Sequence, residues 1–516
     1  MDRFHAVSPL DFRYYGAEKS IYDRLRPYVC EEASVLYQSR VEAMLVETFA
    51  DLGLCSREVA EEVTKAAQSI SAARVYELDE VLHHTSRAIV EAIREKVSEE
   101  GRRFIHLFAT SFDILDTSNA LRYQDLTRDV LIPDLASLIS TLAGIAREHA
   151  DTPQMGRTHG MHAEPITFGL FLSVYISRLG GRALNLELAR QNLRGKLSGA
   201  VGAHNALALK FPRSSHLVEQ LFLARLGLLP SETYTSTQVV EAEFMADYAH
   251  AVTSAFSVLA NLADDMRHLH RSEIAEITEP RGKKGIGSST MPHKTNPKSF
   301  ENIKSLYKAF MPRMITQYLD QTSEHQRDLT NSSSGRFTME LATAFDYAIF
   351  RMQKTLKGLV IDKSKMQANL EAGKAFITAE PLYIMLSLCG VPDAYEKAKE
   401  LASAAKERQL SILELARSDE SLSEALDSLT PENLEILEDP SRYIGDAPIR
   451  VQATCEHWEA RMSALIKDLD REKKVLSRIP ARRFKELARR IADVEAGKLE
   501  PEQAIGILRN QMFEIS

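Results

Sequence analysis

Between Gly285 and Pro297 the chain reads Gly-Ile-Gly-Ser-Ser-Thr-Met-Pro-His-Lys-Thr-Asn-Pro, gathering hydroxyls, an ammonium group, an amide and chain-bending residues in one short run. Glycines at 282, 285 and 287 permit positive φ and close backbone approach to a ligand, while Pro292 and Pro297 interrupt any helix. Successive N–H groups in such a loop can form an anion-binding concavity, to which Lys294 and Asn296 add a charge and amide donors. The expected ligand is carboxylate-like. The same composition also suits an ordinary solvated connection, so the loop does not decide the matter alone.

Other segments carry chemistry of a compatible kind. Gly156-Arg157-Thr158-His159-Gly160-Met161-His162 places histidines between glycines just ahead of Pro165, which predicts a loop or helix entrance. An imidazole there could act as a general acid or base, or be merely exposed. His83-His84 lies in a stretch expected to be helical, where a zinc pair would need spacing of three or four, so no metal is expected. Thr110-Ser111-Phe112-Asp113 precedes a long helical pattern, and its hydroxyls could cap that helix or donate to an anion. From Glu324 to Arg336, two arginines, Arg327 and Arg336, flank a run of hydroxyls, which suits phosphate or carboxylate recognition as well as a polar surface loop.

Long helices must bring these segments into position. No Gly or Pro occurs between Pro230 and Pro280, and apolar residues recur by threes and fours from Met245 to Leu269, predicting one very long amphipathic helix over 231–279. Similar patterns cover Asp113 to Ile132, Ile166 to Gln191 and Arg336 to Leu356, and strand signals are almost absent. The expected fold is all-α: an N-terminal helical domain over 1–116, with one helix opening at Ser56, a central long-helix bundle over 117–360 carrying the loop 282–298, and a C-terminal helical domain over 361–516.

The 516 residues, 44% hydrophobic and 26% charged, allow a large core. A net charge of -8 argues against a nucleic-acid partner. The four scattered cysteines read as reduced thiols, and no apolar run approaches the roughly 20 residues of a membrane span, so a cytoplasmic protein without membrane contact is expected. The Lys/Arg-rich segment from Lys467 to Arg490 reads as a solvated helix face, with an acidic partner or RNA as the alternative.

The run Gly287 to Pro297 resembles the signature G-S-S-x-M-P-x-K-x-N-P of the fumarase/aspartase superfamily at every fixed position. Thr110 to Asp113 and Arg157 to Gly160 resemble that superfamily's Thr-Ser-x-Asp and Arg-Thr-His segments. Within it, Ala6 to Tyr14, Thr237-Gln238, Phe300 to Asn302 and Arg327 to Ser332 resemble the adenylosuccinate lyase family, the likeness running from about residue 6 to about 405. Two departures stand out: Thr85 follows His84 where the family commonly has Asp, and Ala242-Glu243 stands where many members carry Arg-Asp.

The resemblance implies β-elimination of fumarate from a succinylated purine nucleotide. It assigns Ser288 as general base, His159 as general acid, Lys294 and Asn296 as stabilisers of the carbanion's charge, and His84 as a helper that holds phosphate or orients the acid. Thr110, Ser111 and Gln238 would bind the succinyl part, and Ser289 would also bind substrate; Arg13, Tyr14, Ser332 and Arg336 would hold the nucleotide phosphate, with Arg327 nearby. It further implies a homotetramer with a twenty-helix core and active sites shared between chains, and no metal or organic cofactor. Argininosuccinate lyase, carboxymuconate cycloisomerase and a non-catalytic protein of the same fold are the competing readings.

Overall fold

A computed structural model of the chain describes residues 5–232, 234–280, 290–291, 293–322, 325–326, 328–408, 410–476 and 479–504. The N-terminal part holds α1 (Pro9–Arg13), α2 (Lys19–Val29), α3 (Glu31–Asp51), α4 (Arg57–Ala67), α5 (Ala72–Leu82), α6 (Thr85–Arg94) and α7 (Glu99–Arg102). As expected, Ser56 caps α4, its hydroxyl accepting from the Val59 N–H. Next come α8 (Ser111–Leu126), α9 (Ile132–Glu148), β1 (Pro153–Thr158), β2 (Met161–Thr167), α10 (Phe168–Gln191), α11 (Asn205–Ala208), α12 (Ser215–Leu226) and α13 (Glu243–Leu269). They are followed by β3 (Ile277–Thr278), α14 (Lys298–Phe310), α15 (Pro312–Asp320), α16 (Ser334–Leu356) and β4 (Val360–Ile361). The remainder is α17 (Lys363–Glu371), α18 (Lys374–Ile377), α19 (Ala379–Leu388), α20 (Ala394–Arg408), α21 (Ile412–Arg417), α22 (Ser423–Asp427), α23 (Pro431–Glu438), α24 (Ala447–Leu476) and α25 (Ala481–Glu495).

Helices α8, α9, α10, α13, α16 and α24 form the bundle around one large apolar core, to which Leu138, Ile176, Leu259 and Phe345 each contribute a fully buried side chain. Each such side chain contributes about 1.5–3 kcal/mol through removal from water. Two smaller cores flank it, one under α4 to α6 and one under α19 to α23. The fold is all-α, as the apolar spacing predicts.

Several expectations about elements need correction. The helix expected over 231–279 is α13 alone, Glu243–Leu269. Residues 231–242 are Ser, Thr and β-branched in large part, and their hydroxyls bond locally: Ser231 Oγ donates to Thr235 O at 2.7 Å, and Thr237 Oγ1 accepts from Val239 N–H at 3.4 Å. Helix breaking needs neither Gly nor Pro here. Conversely, the helix expected to end at Ile132 runs on through Pro133 to Glu148. A wide π-turn over Thr127–Leu131 spaces the backbone so that the proline ring is accommodated, with the Ile132 N–H reaching back to Thr127 O.

Strands are present where none was expected. β1 and β2 pair antiparallel, and β3 pairs with β4. His83-His84 is likewise not inside a helix: His83 ends α5 at φ 51°, and His84 caps α6. Past residue 361 the helices shorten until Glu438, but α24 then spans 30 residues and returns to the bundle. Arg190 on α10 binds Glu472, and Arg147 on α9 binds Glu459. Among the described residues one helical stretch, Ser111–Glu148, is long and apolar enough to cross a membrane by length and composition; it is a core element that also carries Arg122, Asp125, Arg128 and Asp129.

Candidate active site

The segment Arg157 to His162 is the tip of the β1–β2 hairpin. Thr158 pairs with Met161, so His159 and Gly160 alone make the turn, both at positive φ (52° and 76°), as a tight type I′ hairpin requires. His159 therefore stands exposed on a short, stiff support. Behind it Arg157 Nη2 donates to buried Glu276 Oε1 at 2.8 Å, and Glu276 also accepts from Gln154 Nε2 at 2.7 Å and Asn369 Nδ2 at 2.8 Å. Burial first, then the neighbouring Arg157 cation, holds His162 below the usual imidazole range.

Three residues beyond Glu276, Glu279 holds the next element. Its carboxylate accepts from the N–H groups of Ser299 and Phe300, at 3.0 and 2.9 Å, at the N-terminus of α14, where a negative charge complements the helix dipole. The run that contains Lys294 and Asn296 leads into this terminus. His270 fixes it to the end of α13: Nε2–H donates to Thr295 O at 3.1 Å, while Nδ1 accepts from the Glu279 N–H at 3.4 Å. One short stretch, 276–279, thus anchors both the His159 hairpin and the base of the Lys294 loop. Ser288, Ser289 and Arg327 lie outside the described residues. Tyr14 sits on the flank near this end, its hydroxyl accepting from Asn302 Nδ2 at 3.4 Å and its ring edge-on to Tyr347 at 5.2 Å, with Arg13 exposed beside it.

A second group gathers around the start of α8. Asp113 is fully buried and accepts from the N–H groups of Thr110 at 2.8 Å, Ser198 at 3.1 Å and Gly199 at 3.3 Å, as well as from Lys196 Nζ. The Thr110-Ser111 helix start is thereby tied to the loop 196–202. That loop meets the segment carrying Gln238: Ser198 and Ser236 hydroxyls are 2.6 Å apart, and the Val240 N–H donates to Asp116 Oδ2 at 2.8 Å. Ser332 and Arg336 are exposed at the start of α16, with the Ser332 hydroxyl donating to Leu329 O at 2.8 Å. Burial and the Glu31 carboxylate push the Tyr76 phenol on α5 up to about 12, while Arg336 is near enough to pull against them. His84, the cap of α6, is exposed and accepts from the Arg87 N–H at 3.3 Å.

These two groups do not meet within one chain. The first surrounds the C-terminal ends of α9, α13 and α16; the second surrounds the N-terminal ends of α8, α13 and α16. The continuous stretch Ser111–Glu148 of 38 residues, about 55 Å long, lies between the Thr110-Ser111 helix start and the His159 hairpin. Glu276, Glu279 and Lys196 are organising residues that the sequence patterns do not mark, because each has side-chain partners twenty or more residues away; Asp113 is marked there only as part of the Thr110–Asp113 segment. Among the described residues no group of three or more His, Cys, Asp or Glu is placed to hold a metal ion.

Comparison with known proteins adds a family context. Residues 8–310 match the family described as Lyase, and residues 323–434 match the one described as Adenylosuccinate lyase C-terminal. The adenylosuccinate lyase of Pyrococcus abyssi is 35% identical over 448 residues, covering 86% of this chain and 96% of that protein. That of Bacillus subtilis is 30% identical over 390 residues, covering 75% and 88%. In fold, the chain is similar to a 3-carboxy-cis,cis-muconate lactonizing enzyme from Pseudomonas putida, with a TM-score of 0.74 at 24% identity over 88% of this chain and 100% of the other. A fumarate lyase from Mesorhizobium gives a TM-score of 0.73 at 24% identity, covering 84% and 97%.

Proposed function

The chain belongs to the adenylosuccinate lyase family, and from that membership we propose that it catalyses the β-elimination of fumarate from adenylosuccinate, giving AMP, and the same reaction on the succinylated imidazole-carboxamide ribotide of purine biosynthesis. It is a carbon–nitrogen lyase. The observation that carries this reading is the likeness to curated adenylosuccinate lyases over most of the chain, together with the Gly287–Pro297 run that the sequence shares with their superfamily.

The difficult step is removal of a proton beside a carboxylate. Ser288 takes that proton, activated by the anion-stabilising loop around it. The electron pair left behind spreads into the carboxylate, where Lys294 and Asn296 hold the added charge. That pair then forms the C=C bond of fumarate as the C–N bond breaks, and His159 protonates the departing nitrogen. The Glu276 bracing of Arg157 and the two-residue turn support this role for His159, since a general acid must be held in register with its leaving group.

Thr110, Ser111 and Gln238 bind the succinyl part in this scheme and Ser289 also binds substrate, while Arg13, Tyr14, Ser332, Arg336 and Arg327 serve the phosphate and His84 assists. Neither a metal nor an organic cofactor has a step in it. The separation of Thr110-Ser111 from the His159 hairpin by about 55 Å supports a homotetramer in which neighbouring chains complete each site. Exposed apolar side chains, Val174 and Leu188 on the bundle helix α10 and Ile315 and Leu319 on α15, are what such an assembly would bury. The small nucleotide substrate, a cytoplasmic location and no nucleic-acid or membrane partner complete the proposal.

Fumarate release from adenylosuccinate and from argininosuccinate, followed side by side with the purified protein, tests the reaction. Turnover of adenylosuccinate is expected; turnover of argininosuccinate alone would overturn the assignment.

A further inference from the structure

At the far end of α24, that helix and α25 flank an open groove of about 580 Å³ outside both groups described above. Lys467, Asp470, Arg471 and Lys474 line it from α24; their spacing of three, one and three residues puts them on one helix face. Arg483 lines it from the first turn of α25, and Ile479 adds an apolar patch. Four cations thus face one carboxylate. The groove lies beyond residue 434, where the family match ends.

Two features separate this cluster from an ordinary solvated face. The other side of α24 uses its charges in the fold, Glu472 binding Arg190 and Lys473 binding Asp129 at 3.1 Å, whereas among the described residues Lys467, Arg471 and Arg483 enter no ion pair. Cations near the end of α24 also complement its dipole, but Arg482 and Arg483 stand in the first turn of α25, which carries no acidic residue. A cation at a helix N-terminus opposes the dipole, and an anion bound there would relieve that cost. Helix α25 is held at both ends: the Arg225 guanidinium lies over the Phe484 ring at 4.2 Å, and Glu495 accepts from Ser214 Oγ at 2.6 Å and the Arg213 N–H at 3.0 Å.

We propose that this groove is a binding site for a small polyphosphate anion, separate from the catalytic machinery. Guanidinium groups from two helices, the Lys467 ammonium and a helix N-terminus line one groove, a donor set that suits a di- or triphosphate. Titration calorimetry of the full-length protein with pyrophosphate at low ionic strength provides the test. Saturable binding is expected, weakened at least about ten-fold in Arg471→Ala/Arg483→Ala and weakened by added salt. Fumarate release and the thermal melting curve of that variant are expected to match the parent, which keeps this result distinct from any failure of the lyase reading. Absent binding, or binding undiminished by the double substitution, would overturn the proposal. So would a single-stranded RNA oligonucleotide that binds through the same residues more tightly than pyrophosphate does.

Discussion

Ser288 and His159 divide the proton chemistry, so each can be tested alone. Ser288→Ala and His159→Ala are expected to lower turnover by about 10²- to 10⁴-fold while leaving the oligomer intact. Near-normal turnover in either purified variant would remove that residue from its role. A different kind of residue-scale prediction concerns Asp134 and Asp346, which meet around Arg24, 2.6 and 2.8 Å from its Nη2. Burial, then repulsion from Asp346, raises Asp134 to about 8 despite Arg24. The folded protein therefore keeps a proton that the unfolded chain releases near its ordinary value of 3.8, so the pair's contribution is present at low pH and lost as pH rises through about 8. Denaturant titrations at pH 6 and pH 9 should show the wild type losing more stability than Asp134→Asn, by at most about 1.4 kcal/mol per pH unit. Parallel pH profiles for the two proteins would contradict the shared proton.

Helix α24 offers an element-scale test, because its Trp458 is the only tryptophan of the chain and packs on Gly180 of α10. A Cβ at position 180 would run into the indole ring, so Gly180→Ala must push α24 outward or turn the ring. We expect a loss of about 1–3 kcal/mol and a shifted tryptophan emission. An unchanged emission spectrum with unchanged stability would show that the two helices do not pack in this way. The same scale shows where pattern reading works and where it stops. Long apolar periodicity located α10 and α16 within two residues of their ends. It overran α13, since hydroxyl-bearing residues leave a helix through local hydrogen bonds that periodicity does not register. It stopped short at Pro133, where a π-turn rescues continuity. The β1–β2 hairpin reads in the sequence as a loop or helix entrance because its strands are short and its turn carries His-Gly, not the more familiar Asn-Gly.

For the whole molecule, the decisive quantity is the length of the bundle. Residues of one proposed site lie at opposite ends of helices that span about 55 Å, so a single chain cannot assemble it. Mixing two inactive variants, His159→Ala from one end and Gln238→Ala from the other, should restore activity after subunits exchange, because some mixed sites then contain neither substitution. Light scattering on the parent should give the mass of a tetramer. Mixed subunits that stay inactive despite proven exchange would show that both residues come from the same chain in every site.

The sequence alone determined the fold class and the chemical repertoire. Helical periodicity follows from which faces must be buried, and the Gly287–Pro297 run, Thr110–Asp113 and Arg157–Gly160 carry their meaning in residue type and order. Only the tertiary structure decided how those residues are held. Glu276 acquires its significance from Gln154, Arg157 and Asn369, and Asp113 from Lys196 and the loop after it, contacts that span from about eighty to more than a hundred residues of chain. Local pattern has no access to such pairings, because they depend on where whole helices end in space. For the same reason the separation of the two residue groups, and with it the case for a shared active site, emerged only once the helices had length and direction.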